Sequence, residues 1–438
     1  VKEISELTCG FIDHGGLYQP LAERLVSANG YKRLIYYDPN AEDSETVNDA
    51  VIGDSFPENP RFERTDDFWL HKREIDFFVV PDSKLAGTQL ELRSQGFPVW
   101  GSARSIFLEQ SRETFIRVLQ DLGLEVPPFK RLIGIDALAA YLKDKENQII
   151  KISKYRRTME TKKWISWDED EAWIDMLRVR LGGVKNLMPF LVFEAIDKDA
   201  FELGFDTYQI RGRLPKIMLD GYEGKDNAYF AALKPFEEMP EQSRTVIEAF
   251  RPVLEKAGHG NFWTMEIRDI VEHFFPIDGT PRGPMPGTGS QCQLYRNLPE
   301  IIAAGAEGEL VEPEPEGKFA AEVALCKKGF DCMWRSTRVP EELQEWMKLS
   351  GICRVNGRSW FPWKYTDDEG IGWLVAIGDT PQEVIDNLLA YKELLPPGVD
   401  ASTEALVDLL REIHKAEAEG IEFTEQEVPE PESVVTNE

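Results

Sequence analysis

The sequence predicts an α/β protein: an open parallel-sheet domain first, a central pair of α+β subdomains next, and a small sheet-rich lobe near the C-terminus. Three observations predict it. In roughly the first hundred residues short apolar strands alternate with amphipathic helices, the pattern of a doubly wound sheet. In the later segments apolar stretches follow one another with polar residues at alternate positions, as in antiparallel sheet. At 438 residues and 42% hydrophobic content, the chain also exceeds what one ordinary core organises.

Taken in order, LTCGFIDHGGLYQPLAERLVSANGYKRLIYYDP reads as a turn, a helix carrying Leu17, Leu21 and Leu25 at helical spacing, and a strand ending in Asp38. The pair Gly15–Gly16 is compatible with a phosphate cradle and equally with a plain tight turn. IDFFVVPDS supplies a strand at 75–80, LAGTQLELRSQG a helix and FPVWGS a further strand. The stretch 105–125 reads as one helix with Phe115, Val118, Leu119 and Leu122 inward, ended by Pro127 and Pro128. IGIDALAAYLKD continues as a helix and 147–153 as a strand, with Lys151 and Ser153 opposite Ile150 and Ile152. Strands are expected at 187–196, in FELGFDTYQI and in PKIMLDG, then a helix at 241–257 and two strands at 262–270 and 273–282. A Pro/Gly-rich loop at 279–290 precedes a helix at 299–308 that glycine closes. AAEVALC, SGICRV and GWLVAIGD are the last strands, and Thr380 caps a following helix. STEALVDLLREIHKAEAEG is a terminal helix before an acidic, Pro-containing tail.

Charge and cysteine usage exclude several function classes. With 50 basic against 78 acidic residues the net charge is −28, which repels nucleic acid and anionic membranes in general. The exception is the basic segment 151–163, KISKYRRTMETKK, readable as a contact for a small polyanion or as a solvated loop. Cys9, Cys292, Cys326, Cys332 and Cys353 have neither zinc-ligand spacing nor a disulfide framework. No apolar run approaches the roughly 18 residues of a membrane helix, and the N-terminal stretch lacks signal-peptide order. A cytoplasmic enzyme with reduced thiols is the expectation. There is no GxGxxG and no GxxxxGKS/T, which argues against a dinucleotide fingerprint and a P-loop.

The chemistry-bearing stretch is HFFPIDGTPRGP, 273–284, with Asp278, Thr280 and Arg282 at two-residue spacing, preceded by Glu266 and Arg268 on the strand before it. Residues two apart share a strand face, so if the strands are antiparallel neighbours, Glu266 and Asp278 face one cleft. Such an oxygen pair suits Mg²⁺ shared with substrate phosphates, with a basic group beside it for developing charge. The spacing is equally that of a surface hairpin whose acids pair with Arg268 and Arg282. The histidines His14, His71, His259, His273 and His414 match no metal motif.

These residues resemble the ATP-grasp superfamily, and within it the glycinamide ribonucleotide synthetases, from the N-terminal domain to about residue 395. IDFFVVPDS stands where that family has a strand before a helix, and FPVWGSARSIFLEQSRETFIRVLQDLGLEVPPF follows its next segment. IIKIS puts Lys151 at the position of the nucleotide lysine, and the resemblance carries Lys154 into the loop over the phosphates. LVFEAIDKDAFELGF puts Glu194 and Ala195 near adenine and Glu202 near the ribose. Glu266 matches the family's first magnesium acid, Asp278 the second, Thr280 its asparagine and Arg282 its arginine. GWLVAIGDTPQEVIDNLLAYKEL resembles the closing strand and helix. Two departures stand out: the loop SKYRRTMETKKW has no glycine, and threonine replaces asparagine at 280.

The resemblance implies an ATP-grasp fold divided as 1–104, an N-terminal domain; 105–310, the nucleotide-binding domain with 130–200 as its lid; 311–396, the C-terminal lobe; and 397–438, a terminal helix and tail. It implies an ATP-dependent carboxylate–amine ligase working through an acyl phosphate with Mg²⁺ or Mn²⁺. Arg282, Lys151 and Arg268 would act in catalysis, Lys151, Lys154, Glu194, Ala195 and Glu202 in nucleotide binding, and Glu266, Asp278 and Thr280 on the metal. The partners would be small carboxylate and amine substrates, with a homodimer expected. The departures leave a catalytically idle nucleotide-binding relative as the alternative, and a kinase-like phosphoryl transfer as a third reading.

Overall fold

In the computed structural model the described residues are 2–41, 50–54, 60–153, 161–196, 201–224, 227–270, 273–327, 334–362, 370–401, 403–418 and 420. A 14-stranded sheet is the spine of the molecule. Its first half is parallel, ordered Phe62–Arg64, Arg33–Tyr37, Thr8–Ile12, Phe77–Val80 and Val99–Gly101. The opening segment expected as a turn is therefore the Thr8–Ile12 strand. Phe11 is fully buried there and Gly10 lies so close to Phe78 that a Cβ would come within 2.6 Å of its ring.

Gly260 pairs with Gly101 and passes the sheet to its antiparallel half. From there the order is Gly260–Ile270, Phe201–Ile210, Ile217–Gly224, Ala228–Pro235, Phe319–Lys327, Gly372–Gly378 and Met347–Leu349. Period-2 burial sets the register of the central strands, since one face packs on the helix Glu241–Ala257 through Val246, Ile247, Phe250 and Leu254. The C-terminal strands thus extend the spine, while Trp334–Thr337, Arg358–Pro362 and Cys353–Val355 form a separate three-stranded sheet.

Residues 129–194 form a four-stranded antiparallel sheet of their own, ordered Phe129–Ile133, Pro189–Glu194, Gln148–Ile152 and Thr161–Trp164. Its core includes Ile150, Ile152, Trp164, Leu177 and Phe190. Ile150 and Ile152 point into it as their alternation predicts, which leaves Lys151 on the other face. The helix Trp167–Leu181, capped by Ser166, covers this sheet. That helix, the Thr161–Trp164 and Ala228–Pro235 strands and the short helix Thr288–Leu294 add to the elements expected from the sequence.

One difference bears directly on the site. The single helix expected over 105–125 is broken: Phe107–Gln110 ends, Ser111 turns extended with φ −137° and ψ 101°, and Arg112–Asp121 begins. Serine competes with a helix interior by bonding backbone locally, and Ser111 accepts from the N–H of Thr114 as a cap. The break carries Glu109 and Arg112 to one cleft. Among the described residues no helix is long and apolar enough to cross a membrane.

Candidate active site

The Gly260–Ile270 and His273–Thr280 strands are antiparallel neighbours, and Glu266 stands directly opposite Asp278. A regular ladder counted from the Arg268–Phe275 pair would put Ile277 opposite Glu266 and turn Asp278 to the far face. Pro276, which has no N–H to give the ladder, pairs with Ile267, and a bulge follows in which Ile277 is the extra residue. That single residue restores Asp278 to the face of Glu266. It also leaves the Ile277 carbonyl for Lys151, whose Nζ donates to it at 3.3 Å and lies 3.7 Å from Asp278 Oδ2.

Arg112 grips Asp278 with both terminal nitrogens, each 2.6 Å from one carboxylate oxygen. It is in turn anchored beside the four-stranded sheet, because its backbone N–H donates to the Ser153 carbonyl, just past the Gln148–Ile152 strand, at 2.9 Å. Burial alone would raise the Asp278 carboxyl, but Arg112, Lys151 and Arg282 together hold it well below the usual carboxylate range. Glu266 is the reverse case. Burial first, then the charges of Asp278 and Glu202, push it up to about 8, against the pull of Lys151 and Arg112.

Glu266, Asp278, Thr280 and Arg282 all line one open cleft of about 250 Å³. Arg282 lies past the end of the strand at Thr280, in the loop that follows. There its Nε donates to the buried Glu109 at 2.9 Å and Nη1 to the Gly283 carbonyl at 2.9 Å. Pro284, Met285 and Pro286 from the same loop wall the cleft.

The other expected residues are distributed as follows. Glu202 lines the cleft and forms an ion pair with Arg268, its cross-strand partner, so the Arg268 guanidinium is engaged by an acid rather than facing the Glu266–Asp278 pair alone. Glu194 ends its strand exposed, and the Ala195 N–H donates to the Asn147 carbonyl. Neither lines the cleft around Glu266 and Asp278. Lys154, with Arg156 and Arg157, lies outside the described residues. Lys162 is bound to Asp170 of the helix behind it.

Gly15 and Gly16 do adopt left-handed backbone, with φ +70° and +68°, but three of the loop's N–H groups are spent on carboxylates of the same domain. Gly16 N–H donates to Asp38, and those of His14 and Tyr18 donate to Asp13. These carboxylates occupy the positions an anion would take, and Gly16 packs against Gly351, so the tight turn is the reading the geometry supports. His259 is fully buried between Ser105 Oγ at 2.7 Å and the Asn261 carbonyl at 3.0 Å, and burial pushes its imidazole down to about 3. It is a neutral structural bridge.

Arg112, Glu109 and Asp206 are cleft residues that sequence reading missed. For the first two the signal was Ser111 as a cap inside an apparent helix. For Asp206 it was the alternation Glu202, Gly204, Asp206, which places all three on one face of the Phe201–Ile210 strand.

No family model matches the chain, and no curated relative does. Solved structures do match over most of its length. A phosphoribosylamine–glycine ligase from Thermotoga maritima superposes with a TM-score of 0.65 at 14% identity, covering 90% of this chain and 98% of that one. A biotin carboxylase complex from Campylobacter jejuni gives 0.63 at 13%, over 95% and 97%. An L-amino acid ligase from Bacillus licheniformis gives 0.58 at 13%, over 90% and 98%. Identities this low establish architecture, and the architecture is the ATP-grasp fold that the sequence motifs resemble.

Proposed function

We propose that the protein is an ATP-dependent ligase that joins a carboxylate to an amine through an acyl phosphate. The observation that carries this reading is the meeting of Glu266 and Asp278 across one register pair, with Lys151 Nζ 3.7 Å from the same carboxylate. Three separate segments of sequence converge there, two from the spine and one from the lid sheet.

The donor set fits Mg²⁺: Glu266, Asp278 and the Thr280 hydroxyl offer oxygen alone, leaving positions for phosphates and water. Burial, and after it the facing charge of Asp278, raises the Glu266 carboxyl, and a divalent cation held by the pair would offset that repulsion. Magnesium, when bound, would supply charge neutralisation to the phosphates. The remaining work falls to the chain. Lys151, fixed by the Ile277 carbonyl, adds positive charge at the phosphate end. Arg282, held by Glu109, presents its guanidinium to the substrate carboxylate or its phosphorylated form. The lid sheet that carries Lys151 would exclude water from the acyl phosphate.

The fork of Arg112 on Asp278 favours a second reading, a relative that binds nucleotide without turning it over, because both oxygens of that acid are already occupied. Release of ADP that depends on an added acid and amine decides for the ligase. A stable phosphorylated product in place of an amide would identify a kinase-like member. In the double variant Glu266→Gln, Asp278→Asn, ADP release is expected to fall by at least about a hundredfold, and an unchanged rate would remove the metal assignment.

A further inference from the structure

The cleft has a second pole, away from Asp278. There Asp206 is 4% exposed and lines the cavity together with Glu223, Tyr229 and Thr264. We infer that this pole is built to hold a primary ammonium group of a substrate, with the Asp206 carboxylate as its counter-ion. The inference rests on the ligase reading only for the statement that the ammonium belongs to one of that reaction's two organic substrates.

Along the cleft Glu109 is paired with Arg282, Glu202 with Arg268, and Asp278 with Arg112 and Lys151, while Glu266 stands opposite Asp278. Asp206 has only neutral donors, the Tyr229 hydroxyl on Oδ2 and the Thr264 side chain, and its Oδ1 has no hydrogen-bond partner. A buried carboxylate without a cation is costly. The environment aggravates the cost, because Glu322 stands directly across the ladder from Tyr229 and adds its charge. Burial, with this neighbour, lifts Asp206 to about 7.

Space is reserved beside it. Gly204 and Gly221 face each other in the ladder, and both line the cleft. A Cβ on Gly221 would lie 2.8 Å from Asp206 Oδ2 and 2.8 Å from the Tyr229 hydroxyl. Asp206 is paired with Thr264, two residues from Glu266, so the two acids stand about 7 Å apart along the strand direction. A small ligand spans that gap with its cation at Asp206 and its reacting group toward the phosphate end. Arg282, on the same cleft, suits a carboxylate. The ammonium therefore comes either from a zwitterionic amino acid serving as the acid substrate or from the amine acceptor.

The test uses the full chain with Mg²⁺ and a non-hydrolysable ATP analogue, and follows thermal stability while single amino acids, their N-acetylated forms and ethylamine are titrated. Stabilisation by at least one amino acid or by ethylamine, with none from the N-acetylated forms, is expected. A response requiring both amino and carboxyl groups identifies the acid substrate as the source, and a response to ethylamine alone identifies the acceptor. In Asp206→Asn the apparent affinity for the ammonium compound is expected to fall about tenfold to a hundredfold, with the response to the nucleotide analogue still present. Gly221→Ala, which narrows the same space, is expected to weaken the ammonium response too, and it takes the place of Asp206→Asn should that variant not fold. Equal stabilisation by N-acetylated compounds, an unchanged affinity in the variant, or no response to any ammonium compound overturns the inference. Absence of a response to the analogue itself counts against the ligase reading instead, and the ammonium titration is then judged by the same criteria without nucleotide.

Discussion

Arg112→Met tests whether the Arg112–Asp278 fork is a structural clamp, because methionine keeps much of the side-chain bulk and removes the charge. The arginine side chain is 6% exposed and the aspartate 22%, so the pair is screened far less than a surface bridge. Two charge-assisted hydrogen bonds at 2.6 Å are lost, and Lys151 at 3.7 Å retains part of the attraction. A net loss of about 2–4 kcal/mol is expected. The sign with pH is fixed by the direction of the shift. Asp278 is held below its usual range in the fold, so its contribution is complete above the unfolded value of about 3.9 and disappears only as pH falls through the lower folded value. Urea midpoints of parent and variant at about pH 7 and about pH 5 should therefore differ by the same free energy. A difference below about 0.5 kcal/mol would refute the clamp, and one that shrinks between those two pH values would refute the depressed carboxyl.

His259 acts with the same sign in a higher pH window. Its folded imidazole is pushed down to about 3, so the unfolded chain takes up a proton below about 6.5 while the fold does not, and about 2 kcal/mol is lost between pH 7 and pH 5. His259→Asn should cost about 1–3 kcal/mol at pH 7 through its buried hydrogen bonds and flatten that slope; parallel urea profiles would contradict it. Gly305→Ala should destabilise although alanine favours helices by about 1 kcal/mol, since a Cβ would lie 2.4 Å from the Trp100 ring and overpacking costs about 1–3 kcal/mol. A raised melting temperature would show that the helix Leu298–Glu307 shifts freely on Trp100.

What was legible in the sequence followed from period and adjacency. Ile150 and Ile152 alternate with Lys151, and that alternation alone places the lysine outside the core of the four-stranded sheet. Glu266 and Asp278 sit on successive apolar strands, and their being neighbours was readable from the short connection between them. The expectation that they face one cleft holds, but through the bulge at Ile277 rather than through the regular alternation it was read from. A strict count from the strand ends gives the wrong face, and only Pro276, an interrupted donor within a strand, hints at the irregularity. The same kind of local exception governs Arg112. Apolar spacing runs unbroken through 105–125, so periodicity reads one helix, and the preference of Ser111 for a cap overrides it. Asp206 escaped for a different reason: its neighbours Tyr229 and Thr264 come from other strands, and neither pairing can be read before the sheet order is known. The two residues that bring Glu266, Asp278 and Arg112 together, Ile277 and Ser111, do not themselves line the cleft. At this site the fold's departures from regularity, rather than its regular elements, set which side chains meet, so substitutions that regularise them are the ones that should dissolve the constellation while leaving its acids and bases intact.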